Sequence, residues 1–302
     1  MISVIICTYN RDKYIYNVLK SIAENDFPRD QYEVVLVNNN STDCTEEECR
    51  RFHNDYPDVV FNYYVEKQQG LSYARNCGIE HSRGDLLVYV DDDATVNNIY
   101  LRTYADFFAS HVDAVAAGGP ILPVYIESEE PQWMSHFTRQ LVTGKLYLGK
   151  QQREFPQGAF PGGGNAAYRK SVFDTVGLFN VALGRKGDSL IGAEEKDLFD
   201  KMTTRGMKFY YLPDAILYHL IPDRKLTKEY FDRLTYSIGV SEHYRTTTIS
   251  KGKYLKRLCS EAVKWAASIV LWIGFLFKLQ PAKGNKVVRF RYNVTRGLLK
   301  GK

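Results

Sequence analysis

Apolar residues along this chain gather in short runs, and each run stops abruptly at a polar cluster. Residues 2–7, 32–37 and 86–90 are almost continuously hydrophobic, so they read as strands buried on both faces, with 59–65 as a fourth. Between them the period changes. Ile15, Val18, Leu19 and Ile22 recur at helical spacing over 13–24, and Pro28 closes that helix. A second helix is expected over 45–52, and a third follows Gly70 and carries Ala74, Arg75, Asn76 and Gly78. Strand, loop, helix, strand in repetition implies an α/β protein with a mostly parallel central sheet.

Past residue 110 the pattern loosens. Residues 114–117 read as a strand ended by Gly118-Gly119-Pro120, and 121–160 are irregular and rich in aromatics, the makeup of a substrate loop. Within it Trp133, beside Glu129-Glu130-Pro131, is the aromatic expected to be partly exposed. A helix begins at Glu194-Glu195 and stops at Arg205-Gly206, with acids first and a base last as its dipole favours. Residues 215–218 form a strand ended by His219, and 229–243 form a further helix.

The composition, 44% hydrophobic and 25% charged over 302 residues, is that of a globular protein with a sizeable core. No apolar run approaches the roughly 18–20 residues a spanning helix needs. The N-terminus enters a strand pattern without the features of a signal peptide. Five cysteines with no C-x-x-C argue against a zinc site or a disulfide framework, so a cytoplasmic protein is expected and Cys7 reads as a small buried hydrophobe.

Charge is unevenly spread. Residues 251–302 hold thirteen Lys and Arg against a single acid, Glu261, a local charge of +12, so of the chain's +5 the first 250 residues carry −7. Within that tail, 265–277 is an uncharged stretch bounded by Lys264 and Lys278, too short to cross a bilayer and too apolar for a solvated helix. A helix lying on an anionic membrane surface fits it, and a core or subunit-interface helix is the competing reading. Nucleic acid is not an expected partner, because the body is acidic and no binding motif is present.

Candidate chemistry gathers where strands end. Ligands of open α/β sheets bind outside the carboxyl ends of the strands, and Asp91-Asp92-Asp93 follows the run 86–90 at once. Alternation puts Asp91 and Asp93 on one side and Asp92 on the other. Paired hard oxygen donors suit Mg²⁺ or Mn²⁺, although an acidic triplet alone can equally be a solvated turn. Thr8 to Arg11, Asn38 to Asp43 and Lys67 to Asn76 collect at the same edge, a set of amide, basic and carboxylate groups that fits a nucleoside diphosphate. Asn38 to Asp43 taken alone reads as an Asx turn capping the next helix.

These stretches together are similar to family 2 glycosyltransferases of the GT-A fold, the type that builds bacterial cell-surface polysaccharides. The likeness rests on Val4 to Arg11, Val37 to Asp43, Gly70 to Gly78, Gly84-Asp85 to Asp93, Gly162 to Arg169 with Val176 to Phe179, Gly192 to Leu198, and Pro213 to His219. It covers 2–222, in order, and leaves 223–302 as a basic helical extension. The resemblance implies a nucleotide-binding half over 1–110 and an acceptor half over 111–222. It implies that a nucleotide-sugar donor, a UDP-sugar, is held by Thr8, Tyr9, Asn10, Arg11, Asn38, Asn39, Lys67, Gly70, Arg75, Asn76, Asp91 and Asp92. Asp91, Asp93 and His219 would hold the metal, and Gly163, Gly164, Asn165 and Trp133 would border the sugars.

The resemblance also implies an inverting displacement onto a glycan or lipid-linked glycan at the cytoplasmic face of the membrane. Such a displacement needs a base for the acceptor hydroxyl, and the family pattern puts it at Glu195, with Glu194 beside it. The chain departs from that pattern at Asn38, where an Asp is common, and at Glu195, where many relatives have Asp. Two other classes stay open. A sugar-1-phosphate nucleotidyltransferase would need a Gly-rich basic loop after the first strand, which Thr8-Tyr9-Asn10-Arg11 does not supply. A non-catalytic nucleotide-sugar-binding scaffold would have no need of Glu194-Glu195.

Overall fold

The computed structural model describes residues 1–301. The chain forms two compact units. The first comprises Met1–Val124, Leu146–Ala182 and Glu194–Leu220; the second comprises Tyr125–Lys145, Leu183–Ala193 and Ile221 onward. The expected body of 1–222 therefore gives up two internal segments to the helical unit.

In the first unit, β1 (Ile2–Thr8), α1 (Asp12–Ala23), β2 (Tyr32–Asn38), α2 (Thr45–Asp55), β3 (Phe61–Val65), α3 (Leu71–His81) and β4 (Leu86–Val90) follow one another as repeated βα steps. The expected helices and strands are here, with ends shifted by a residue or a few. They are followed by β5 (Ala94–Val96), α4 (Tyr100–Ser110), β6 (Ala116–Gly118) and β7 (Ile121–Tyr125). After α5 (His136–Thr143) of the second unit come β8 (Arg153–Glu154), β9 (Asn165–Arg169) and α6 (Val172–Val176), then α7 (Glu194–Thr203), β10 (Phe209–Tyr211) and β11 (Leu217–Ile221).

The large sheet runs β3-β2-β1-β4-β9-β6-β10-β8. Its first four strands are parallel, and β9 lies antiparallel between β4 and β6. Along β1, Val4 and Ile6 enter one hydrophobic cluster with Val34, Leu36 and Val88, while Ile5 enters another with Val35, Val37 and Leu87. Both faces are covered, which is why these strands carry no polar alternation. Short β5 and β11 pair antiparallel and bring His219 beside Ala94, one residue past the acidic triplet.

Asn165, at the start of β9, is a structural lock. Its Oδ1 accepts from the hydroxyls of Tyr100 (2.8 Å) and Tyr104 (2.7 Å), and its Nδ2 donates to the carbonyls of Pro120 (2.8 Å) and Ala215 (2.9 Å). An amide side chain has two donors and two acceptor sites, so none is left. The expectation that Asn165 contacts a sugar is corrected on that ground: the residue is wholly buried.

The second unit packs α8 (Lys228–Ile249), α9 (Lys251–Phe277) and α10 (Pro281–Lys300). Helices α8 and α10 approach so closely that a β-carbon at Gly239 would overlap the Val294 carbonyl, and one at Gly297 would overlap the Tyr236 carbonyl. Trp133 belongs to this unit, half-buried, edge-to-face on Phe231 with the Lys286 ammonium 4.4 Å above its ring. By length and composition α9 could cross a membrane, which corrects the expectation that no stretch is long enough: the helix extends well upstream of 265–277.

Replacing Asn165 by Ala strands two buried tyrosine hydroxyls and two carbonyls. We expect a loss of about 3 kcal/mol in denaturant unfolding, with Tyr104→Phe costing about 1 kcal/mol.

Candidate active site

The loops leaving β1 and β2 are laced together by short polar side chains. Asn10 takes the left-handed region (φ +54°); its amide donates to Ser41 Oγ at 2.9 Å and its Oδ1 accepts from the Thr42 amide at 2.8 Å. Asn38 Oδ1 accepts from the Ser41 amide, three residues on, at 2.8 Å, and its Nδ2 donates to the Tyr63 hydroxyl at 2.7 Å. The Asx turn is made by Asp43, whose Oδ1 accepts from the Thr45 amide at 3.1 Å just before α2, while the N-cap residue Cys44 makes no side-chain cap bond.

Asn39 braces the loop before α3 from inside. Its Nδ2 donates to the carbonyls of Glu66 (3.0 Å) and Gln68 (2.9 Å), and its Oδ1 accepts from the Gly70 amide (2.7 Å) and Gln69 Nε2 (3.3 Å). With its capacity spent, Asn39 shapes the loop and is no nucleotide contact. Gly70 sits at φ +148°, Lys67 is exposed at the tip, and Thr8 is buried at the end of β1. Asn76, half-buried, exchanges one hydrogen bond in each direction with the Phe179 backbone, each at 3.0 Å.

The three aspartates go to different partners. Asp92 Oδ1 accepts from Arg11 Nε at 3.1 Å and its Oδ2 accepts from the Tyr9 amide at 3.3 Å. Asp92 therefore holds the β1 loop, and it raises Arg11 above the usual guanidinium range. Asp93, buried, puts Oδ1 3.2 Å from His219 Nε2 and Oδ2 3.8 Å from Arg11 Nη2. Asp91 lies against the backbone of Gly164, where a β-carbon would overlap its carboxylate. Burial, and then the charge of Asp93, push Asp91 above the ordinary carboxylate range.

The expected metal set of Asp91, Asp93 and His219 does not close. Among the described residues no three His, Cys, Asp or Glu gather as one ligand group. Asp93 and His219 do face each other within hydrogen-bond distance, with Asp91 close enough to feel the charge of Asp93. One carboxylate and one imidazole fit a divalent ion of the Mg²⁺ or Mn²⁺ type, which takes one or two protein ligands and completes its shell with phosphate and water.

A second cluster lies beside the glycines. Arg75, expected at the nucleotide, instead places Nη1 2.7 Å from Glu195 Oε1 and 3.2 Å from Glu194 Oε1, at the first turn of α7. A guanidinium only 3% exposed must have anions, and these two supply them. The ring of Phe179 lies 5.2 Å from its Cζ and that of Tyr89 5.7 Å. Glu194 is buried, whereas the Glu195 side chain keeps 22% of its surface exposed, so of the two Glu195 is the one open to solvent. Gly163 lies against the Glu195 carboxylate, with no room for a β-carbon. Ala193, just before α7, is held at φ +75°, a conformation rare for a residue with a side chain.

Charge is divided within this trio. Burial and the neighbouring Glu195 push Glu194 up to about 8. Burial would raise Glu195 too, but it is opposed chiefly by the Arg75 charge, and Glu195 is held below its ordinary range. The environment thus favours the proton on Glu194 and the negative charge on Glu195, beside the Arg75 guanidinium. Sequence reasoning found both glutamates and missed their partner; the signal was an arginine among small residues on α3, next to Ala74 and Gly78.

A covered α/β sheet with an acidic turn and loop amides at its strand ends, and a buried cluster of Arg75 with Glu194 and Glu195 between α3 and α7, has the GT-A architecture. The chain belongs to the family described as Glycosyl transferase family 2, whose profile matches residues 3–177. It is 26% identical over 267 residues to a glucosyl-dolichyl phosphate glucuronosyltransferase of Haloferax volcanii, covering 85% of this chain and 82% of the relative. It is 33% identical over 109 residues to the poly(ribitol-phosphate) beta-N-acetylglucosaminyltransferase TarS of Staphylococcus aureus, covering 36% of this chain but 19% of that protein. Among solved structures, the mannosyltransferase PcManGT of Pyrobaculum calidifontis, in complex with GDP-Man and Mn²⁺, superposes with a TM-score of 0.66 at 19% identity. It covers 100% of this chain and 87% of that one, which bears on fold. The protein is a glycosyltransferase that uses nucleotide-sugar donors.

Two outcomes follow from the trio. Gly163→Ala pushes the Glu195 carboxylate aside, so kcat should fall about tenfold or more while donor KM holds. Because Glu195 is held below its ordinary value, the acid limb of a kcat/KM profile should lie below the usual carboxylate range of about 4.3. In Arg75→Gln that cation is gone while burial remains, so the limb moves upward.

Proposed function

We propose that the enzyme moves a sugar from a UDP-sugar onto a glycan or lipid-linked glycan acceptor by single inverting displacement, with Glu195 as the base. The acceptor oxygen forms a bond to the anomeric carbon as the bond to the diphosphate oxygen breaks, and the acceptor proton passes to Glu195. The base must start ionised and must meet solvent, and of the two glutamates only Glu195 has both properties. That observation carries the reading. Arg75 and the Gly163 backbone fix the position of the carboxylate, and protonated Glu194 supports it from the buried side.

On the donor side, Asn10, Arg11 and Asn38 shape the wall against which the nucleotide lies, Lys67 stands exposed to meet phosphate, and Asp91 lies beside Gly164 where sugar or ribose approaches. Mg²⁺ or Mn²⁺ at Asp93 and His219 would neutralise charge on the departing diphosphate. Solved relatives in complex with Mn²⁺ support this, and the dolichyl phosphate in the archaeal relative's name supports a lipid-linked acceptor. In this reading 1–110 serve the nucleotide, 111–222 the acceptor, and 223–302 attach the enzyme to the cytoplasmic face of the membrane, where surface polysaccharide is assembled.

Glu195→Gln should abolish transfer while UDP-sugar with Mn²⁺ still raises the thermal unfolding midpoint as in the wild type. Normal turnover by Glu195→Gln, with loss in Glu194→Gln, would reassign the base.

A further inference from the structure

The helical unit is amphipathic in an inverted sense along α9. Only Glu261 and Ser268 of its 27 residues are buried. Glu261 is enclosed by cations and a hydroxyl: Arg257 Nη1 at 2.6 Å, Arg291 Nη1 at 2.9 Å and Thr295 Oγ1 at 3.2 Å. Arg257 reaches on to Glu242 at 3.0 Å, and Glu242 also holds Arg245 at 3.1 Å. These charges face inward against α8 and α10. The indole nitrogens of Trp265 and Trp272 do the same, donating to Thr295 Oγ1 and Asn285 Oδ1, each at 2.9 Å.

The outward face carries the apolar side chains. Val263, Ala266, Ala267, Val270, Gly274 and Phe277 recur at helical spacing as one stripe, and Val263, Val270 and Phe277 are 72%, 69% and 86% exposed. Ile269 and Ile273 border the stripe, and Leu279, 89% exposed, continues it past the helix end. A core helix would have this face covered; here it is open. Exposed Lys253 and Lys256 stand before the apolar segment and exposed Lys278 after it. Apolar stripe and basic flanks together match the two layers of an anionic leaflet, hydrocarbon beneath and phosphate above.

We propose that α9 enters one leaflet lengthwise and does not cross it. The inference rests on the membrane attachment proposed above and says how it is made. From Val263 to Phe277 the stripe is about 21 Å long at 1.5 Å per residue, short of the roughly 30 Å of a hydrocarbon core. A crossing helix needs an apolar surface on every side open to lipid, and α9 has one on a single side. Its other side is bound through Glu261 to α10, whose own exposed Arg289, Arg296 and Lys300 would have to follow it into hydrocarbon. Lying flat satisfies both faces at once.

The test uses the full chain with sealed vesicles, neutral phosphatidylcholine or the same lipid with phosphatidylglycerol, and no substrate, so failure of the catalytic reading leaves the result untouched. We expect flotation with the anionic vesicles that survives a high-salt wash. Val270→Glu and Phe277→Glu, both on the open surface, should each reduce partition about tenfold with unchanged donor hydrolysis and circular dichroism. In a chain with Cys44 and Cys259 changed to Ser, Lys300→Cys should react with an impermeant maleimide added outside the vesicles. A protected Lys300→Cys would mean that α9 crosses, and would overturn the proposal. So would flotation lost entirely in high salt and indifferent to Phe277→Glu, or a dimer that Phe277→Glu converts to monomer while no form floats.

Discussion

A guanidinium sealed from water sets the charge state of the face on which a sugar would be transferred. Arg75 is 3% exposed, and a buried cation of this kind persists only where anions neutralise it. Two glutamates do so, but Glu194, the buried one, is disfavoured as a second anion against a single cation. Charge repulsion leaves one of them protonated, and geometry decides which. Arg75 is closer to Glu195, at 2.7 Å, than to Glu194, at 3.2 Å, and Glu195 is the one that keeps contact with solvent. A carboxylate ready to accept a proton thus stands at the surface, backed by a carboxylic acid and a cation.

The remainder of the first unit can be understood as support for that arrangement and for the acidic turn beside it. Gly163 and Gly164 press their backbone on Glu195 and Asp91, which any side chain there would displace. The loop holding them ends at Asn165, whose four hydrogen bonds to Tyr100, Tyr104, Pro120 and Ala215 fix it against the sheet. Position is transmitted from a saturated core amide, through two glycines, to two carboxylates. The donor side works by the same means, with Asn39 spending all its capacity on the loop that ends at Gly70.

Much of this was legible in the chain. Continuous apolar runs locate β1, β2 and β4, and the polar clusters behind them locate the loops that carry the site. What sequence cannot give is where an amide or guanidinium spends its hydrogen bonds. Asn39 and Asn165 look like ligands in a motif, yet each faces backbone or core, because a buried amide takes the partners that folding brings to it. Arg75 pairs with glutamates more than a hundred residues away, a contact that no local pattern encodes. The tail misleads differently: counting uncharged residues stops at Lys264, whereas α9 begins at Lys251 and carries Glu261 buried among Arg257 of its own helix and Arg291 of α10.

The division of protons within the trio is open to direct observation. In protein carrying carboxyl-labelled glutamate, with Glu194→Gln and Glu195→Gln for assignment, carbon NMR can follow each side chain through a pH titration. The account predicts that Glu195 loses its proton below the ordinary glutamate range while Glu194 holds its own up to about 8. Two carboxyls titrating together in the ordinary range, unaffected by Arg75→Gln, would contradict it.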